Sequence, residues 1–227
     1  MKRCGGRVGS VFLTALLAAG IGASHPNALA GQDVLARAGN EGTIIGAVVG
    51  VTRTDGLWKP SSTSDPVLGG MVGGYVLAAT PAPWFSILAE VTFLQRNSNV
   101  VGTNQGQPLQ GGLRTDYLSV LIAPRFTREV GPVRIHLAGG PTIDQVIRAR
   151  LDPTLSPVLR EVESVFGASL ALGVGVTLAD RYRVDVEGRA FEGLGDAHSG
   201  DFLQMRNRTF GLVTRVGIPI PDSWRGS

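Results

Sequence analysis

Cysteine is nearly absent from this chain of 227 residues: the single one, Cys4, stands ahead of an apolar run at the N-terminus. That excludes a disulfide framework and thiolate metal sites in everything that follows. Because Cys4 precedes the apolar run instead of following it, it is not the acylated cysteine of a lipoprotein. Lysine is almost as scarce. Beyond residue 30 the chain has one lysine, Lys59, against 17 arginines, whereas soluble surfaces usually mix charges of both kinds freely. Long hydrophobic runs are missing too. Past the N-terminal segment no stretch reaches the ~18 apolar residues of a membrane-spanning helix, so none is expected. Nor is there a Walker loop, a dinucleotide fingerprint or an H-E-x-x-H motif. No enzyme, cofactor or metal ion is therefore expected.

The N-terminus carries an address. Lys2, Arg3 and Arg7 form a basic start, Val8 to Ala23 is an apolar run of small residues, and Ala28-Leu29-Ala30 is an A-x-A cleavage site. Residues 1–30 read as a cleavable signal peptide. They hold three of the 21 basic residues and none of the 18 acidic ones, which leaves 18 of each sign in the mature chain. Zero formal charge gives no basic field for nucleic acid, so no nucleic-acid partner is expected.

What the chain does have is alternation. In Ser164–Glu192, Phe166, Ala168, Leu170, Leu172, Val174, Val176 and Leu178 fall on one face, and Gly167, Ser169, Ala171, Gly173, Gly175 and Thr177 on the other. A period of two means strand. After Ala179, Asp180 and Arg181, the second arm sets Tyr182, Val184, Val186, Gly188 and Ala190 against Arg183, Asp185, Glu187 and Arg189, and so forms a tight hairpin. One face is apolar throughout. The other is small in one arm and charged in the next, as in a narrow polar lumen with lipid outside.

The pattern recurs along the chain, with strands expected at 43–52, 68–79, 85–96, 116–127, 133–146, the 164–192 hairpin and 205–220. The glycine-rich second strand assigns its face only weakly. Long polar loops are expected at 53–67, 97–114, 147–163 and 193–204, and short turns between them. The expected fold is all-β: an eight-stranded antiparallel up-and-down transmembrane β-barrel over 43–220, after a short periplasmic lead at 31–42 and before a tail at 221–227. Short periplasmic turns and longer extracellular loops suit an outer membrane of the Gram-negative type. Strand eight must pair with strand one, because lipid offers an open edge no hydrogen-bond partner.

The lumen face collects Glu90, Arg125, Arg134, His136, Asp185, Glu187, Arg189 and Arg215, which read as a structural ion-pair network plugging the bore. Trp84, Phe85, Phe126, Tyr182 and Trp224 fall at strand ends on the short-turn side, where an interfacial belt would lie. In the fourth loop, Glu192, Asp196, His198, Ser199 and Asp201 read as solvated; a cation site or a hydrolase is the sharper alternative, and the adjacency of His198 and Ser199 argues against the hydrolase. Outer-membrane lipid is one expected partner, and an extracellular ligand or protein held by the four loops is another.

Tyr117 to Phe126 (YLSVLIAPRF), Ala138-Gly139-Gly140-Pro141 and Glu187 to Leu194 (EGRAFEGL) resemble the fourth-, fifth- and seventh-strand patterns of small OmpA-like or PorT-like outer-membrane β-barrels. The resemblance implies a structural or interaction role with no catalytic signature. Two alternatives remain open at this point. One is a soluble periplasmic barrel of lipocalin type that holds a small apolar ligand, with the aliphatic face turned inward. The other is a minor pore for small solutes.

Overall fold

The structure, a computed structural model, describes residues 42–59, 63–104, 107–153, 160–161, 164–179, 181–199 and 204–220. The signal peptide, the lead up to residue 41, Asp201, Trp224 and the tail at 221–227 lie outside the described residues. Eight long strands follow one another: β1 (Ile44–Lys59), β2 (Thr63–Ala79), β3 (Phe85–Asn104), β4 (Gln107–Val130), β5 (Val133–Leu151), β6 (Ser164–Leu178), β7 (Tyr182–Gly193) and β8 (Gln204–Pro219). Each pairs antiparallel with its sequence neighbours. β1 also pairs with β8 from Ile44↔Pro219 to Lys59↔Gln204, which closes the sheet into a barrel.

Closure leaves two surfaces of opposite chemistry. Outward-facing Val72, Phe93, Ile122, Leu172 and Leu212 are exposed, with Ile122 at 55% and Leu172 at 61%. Inward-facing Arg125, Asp185 and Arg215 are fully buried, at 0%. An apolar exterior around a charged interior is the reverse of a lipocalin, so that alternative is overturned. The exposed aliphatic band requires hydrocarbon around it.

The short turns set which end is which. At Gly131-Pro132 the hairpin closes on the pair Val130↔Val133, with Gly131 at φ 61°, the first central position of a turn that demands positive φ. In the β2–β3 turn, Thr80 Oγ1 donates to Phe85 O at 2.7 Å and Phe85 N to Ala82 O at 3.0 Å. In the β6–β7 turn, Arg181 N donates to Leu178 O at 3.2 Å. All three lie at the end where Ile44 meets Pro219.

At the other end the expected boundaries are corrected. β3 does not stop at Arg96, nor does β4 start at Asp116: residues 97–104 and 107–114 form a paired arm from Asn97↔Arg114 to Asn104↔Gln107. Likewise β1 runs on to Lys59 and β5 to Leu151, well into the stretches expected as the loops 53–67 and 147–163. The physical reason is that these extensions stand clear of lipid, so neither face need be continuously apolar and the period-two signal fades although the ladder continues. Residues 193–199 also fold back: His198–Ser199 pairs with both β8 and Arg160–Glu161, and Ala197 N donates to Met205 O at 2.7 Å.

Two apolar clusters complete the interior. Ile44, Tyr75, Leu77, Leu88, Leu121 and Ala123 line the β1–β4 wall toward the short turns. Toward the long connections, Val48, Met71, Leu94, Leu113, Tyr117, Val165, Ala197, Met205 and Val213 form the second.

Candidate functional site: the lumen network

Inward parity on neighbouring strands delivers charged side chains to adjacent levels of the bore. Glu90 comes from β3, Arg125 from β4, Arg134 and His136 from β5, Asp185, Glu187 and Arg189 from β7, and Arg215 from β8. All eight face the interior, and four of them form a closed ring. Arg189 forks onto Glu90, with Nη1 to Oε1 at 2.6 Å and Nη2 to Oε2 at 2.9 Å. It also reaches Glu187 Oε1 through Nε at 3.1 Å and Nη2 at 2.9 Å. Arg215 bridges the same two carboxylates from the other side. Its Nη2 donates to Glu90 Oε2 at 2.6 Å and its Nε to the same oxygen at 3.1 Å, while Nη1 donates to Glu187 Oε2.

Every carboxylate oxygen of the ring therefore accepts a charge-assisted hydrogen bond, and the ring is neutral. This matters because burying an isolated ion pair costs about as much as the attraction returns; only full hydrogen bonding tips the balance. His136 joins at the edge, with Nε2 at 3.3 Å from Glu187 Oε2. The Arg215 guanidinium also lies 5.7 Å from the centre of the Tyr75 ring.

Toward the short turns a second group follows. Asp185 Oδ2 accepts from Arg125 Nη2 at 3.0 Å and from Arg183 Nε at 3.2 Å. Arg134 donates to Thr177 Oγ1. Glycine makes room for these side chains where the opposite strand would otherwise carry a Cβ. A Cβ at Gly173 would stand 2.6 Å from both Glu187 Cβ and the His136 ring, and one at Gly175 would collide with Asp185 Oδ1.

The sequence reading missed a further pair. Arg96 Nη1 donates to Asp144 Oδ2 at 2.6 Å, with both side chains buried. The Arg96 guanidinium is held between the rings of Phe191, at 3.9 Å, and Tyr117, at 4.9 Å; the Tyr117 hydroxyl in turn accepts from Asn207 Nδ2 at 3.1 Å. The signal was present. Arg96 shares parity with Glu90, and Asp144 with Arg134, but Arg96 stood at the expected end of its strand. Arg183, on the charged face of the opening hairpin, was also left out of the network.

Of the strand-end aromatics, three meet. Trp84 stacks on Phe126 with centroids 6.0 Å apart, and Phe85 lies 5.4 Å from Phe126. Tyr182, half-exposed, has the Arg181 guanidinium 5.7 Å from its ring centre. At the end of β7 Glu192 pairs with Arg208 at 3.2 Å, and just beyond it Asp196 pairs with Arg206 at 3.4 Å. The side chains of His198 and Ser199 lie outside the described ones.

No protein-family model and no curated protein matches this sequence. Among solved structures, the outer membrane protein OprG from Pseudomonas aeruginosa aligns with a TM-score of 0.60 at 10% identity, over 81% of this chain and 98% of that one. Neisserial surface protein A (NspA) aligns with a TM-score of 0.50 at 10% identity, over 78% of this chain and 97% of that one. At such identity the likeness speaks for fold alone. It agrees with what the apolar exterior, the short and long connections and the closed β1–β8 ladder require: the chain is a small outer-membrane β-barrel.

Proposed function

We propose that the barrel is a closed anchor in the outer membrane whose work is done by the strand extensions beyond the bilayer, through interaction and not through catalysis or steady conduction. The observation that carries this reading is the Glu90–Arg189–Glu187–Arg215 ring. It draws on three strands, lies across the bore and leaves none of its carboxylate oxygens unbonded. Opening a path would break several charge-assisted hydrogen bonds at once. The strands, meanwhile, are far longer than the membrane needs. β4 has 24 residues, whereas a tilted strand crosses the hydrocarbon in about 9 to 11. About half of it stands outside as arm, the place where a rigid scaffold usually presents binding chemistry.

Planar-bilayer recording tests the closed bore. The wild-type barrel is expected to insert without steady open-channel steps, and Glu90→Ala is expected to produce them. Regular steps from the wild type would overturn this reading in favour of a small-solute pore.

A further inference from the structure

Just beyond the apolar band, β4 and β5 bring three arginines together on the outer surface. The outward residues of β4 pass from Leu118 to Asp116 and then Arg114. On β5 the extra residue Ile147, at the register shift opposite Asp116 and Tyr117, leaves Arg148 and Arg150 outward and exposed beside them. Asp116 faces Arg148, but Arg114 faces Arg150. Residues directly opposite on antiparallel strands have Cβ atoms about 4.5–5.5 Å apart, and like charges at that spacing are destabilising.

The chain does little to offset this. Asp116 lies 3.8 Å from Arg114 Nε, and its Oδ1 already accepts from Gln95 Nε2 at 2.9 Å. Arg148 and Arg150 make no ion pair among the described residues, and the described ladder with β6 ends at Gln145↔Ser164, short of both. Even with Asp152, just past the end of β5, three arginines meet two carboxylates. The opposite side of the barrel is built otherwise. There Arg208 faces Asp55 on β1 and Glu192 on β7, reaching Glu192 Oε1 at 3.2 Å, and Arg206 reaches Asp196 Oδ1 at 3.4 Å.

The position of the unmatched pair says where its counter-charge comes from. Arg114 stands two outward positions beyond Leu118, at the root of the arm, so the pair faces the lipid headgroups and not the arm tips. A phosphate monoester carries nearly two negative charges and three acceptor oxygens, which suits two guanidinium forks side by side. A phosphodiester, with one charge and two free oxygens, leaves one of the two arginines unmatched.

We propose that Arg114 and Arg150, with Arg148 beside them, hold a phosphate monoester on the headgroup of a lipid in the outer leaflet. The site does not depend on whether the bore is closed.

The full chain, folded in maltoside detergent, is titrated with diphosphoryl lipid A, and binding is followed by thermophoresis. The double variant Arg114→Gln, Arg150→Gln is expected to bind at least about tenfold more weakly, the scale of lost hydrogen bonds between charged groups. Arg206→Gln, Arg208→Gln should keep the wild-type affinity. Both double variants change exposed side chains only, so both should keep a band that shifts on boiling. Lipid A stripped of its phosphates should bind the wild type no better than intact lipid A binds the Arg114→Gln, Arg150→Gln variant. Four results would each overturn the site: equal affinity in wild type and that variant, an equal loss in the Arg206→Gln, Arg208→Gln control, displacement of lipid A by equimolar inorganic phosphate, which would make the ligand the free ion, or tighter binding of a sulfated oligosaccharide through the same arginines, which would make it a glycan.

Discussion

At the scale of the residue, the interior is governed by how completely each buried charge is met. Glu187 accepts from Arg189, Arg215 and His136. Removing it leaves two guanidiniums facing each other with half their acceptors gone. Glu187→Ala is expected to cost about 3–5 kcal/mol of folding free energy, the usual range for orphaning a buried partner. Glu192→Ala, at a pair exposed on both sides, should cost about 0–1 kcal/mol. Urea unfolding in phospholipid vesicles compares them, and coincident midpoints would mean that the ring contributes nothing to stability. The eight lumen residues were legible because a charge on the small face of an otherwise apolar alternation has only one place to go. Arg96 and Asp144 obey the same parity, yet nothing local says that β3 continues past Arg96, so their meeting depended on strand length and was not written in the pattern.

At the scale of the element, the alternation itself carried the faces of β3 to β8, and it failed where glycine or a bulge removed it. In β2, Gly69, Gly70, Gly73 and Gly74 leave too few side chains to show a face. Only the pairings Gly46↔Tyr75 and Tyr75↔Glu90 fix Tyr75 and Met71 as interior. In β5, extrapolating by twos from Asp144 would put Arg148 inside. The register shift opposite Asp116 and Tyr117 inserts Ile147, and Arg148 and Arg150 emerge exposed on the outer surface. That shift coincides with the upper edge of the apolar band, where β4 passes from outward Leu118 to outward Asp116. The lipid boundary can be tested there. Ile122→Arg, in the middle of the band, is expected to cost about 2–4 kcal/mol when folding is measured in vesicles. Arg150→Ile, beyond the band, should stay within about 0.5 kcal/mol. A harmless Ile122→Arg would mean that this face is not in hydrocarbon.

At the scale of the whole molecule, closure and extension are separable, because different residues supply them. Closure rests on the β1–β8 ladder, whose 16 residue pairs run the full length of both strands. Without β8, β1 and β7 would each present an unpaired edge to lipid, where an unmet backbone group costs several kcal/mol. The β3–β4 arm, by contrast, stands beyond the last β4–β5 pair, Leu113↔Leu151; beside it only the Thr63–Asp65 end of β2 continues, paired with Asn99–Val101, and above Val101↔Gln110 the arm returns on itself. Replacing residues 99–112 with Asn-Gly puts a two-residue hairpin turn between facing residues, a connection that suits the twist of the strands. The shortened chain is therefore expected to fold in vesicles and to keep a band that shifts on boiling, whereas a chain lacking residues 204–220 should show no such band. If the armless chain also fails to fold, the arm belongs to the closed structure and its length is explained by stability alone. If it folds, the paired residues beyond the apolar band are not needed to hold the barrel together, and their persistence in a ladder so much longer than the membrane requires has to be sought in what they meet outside it.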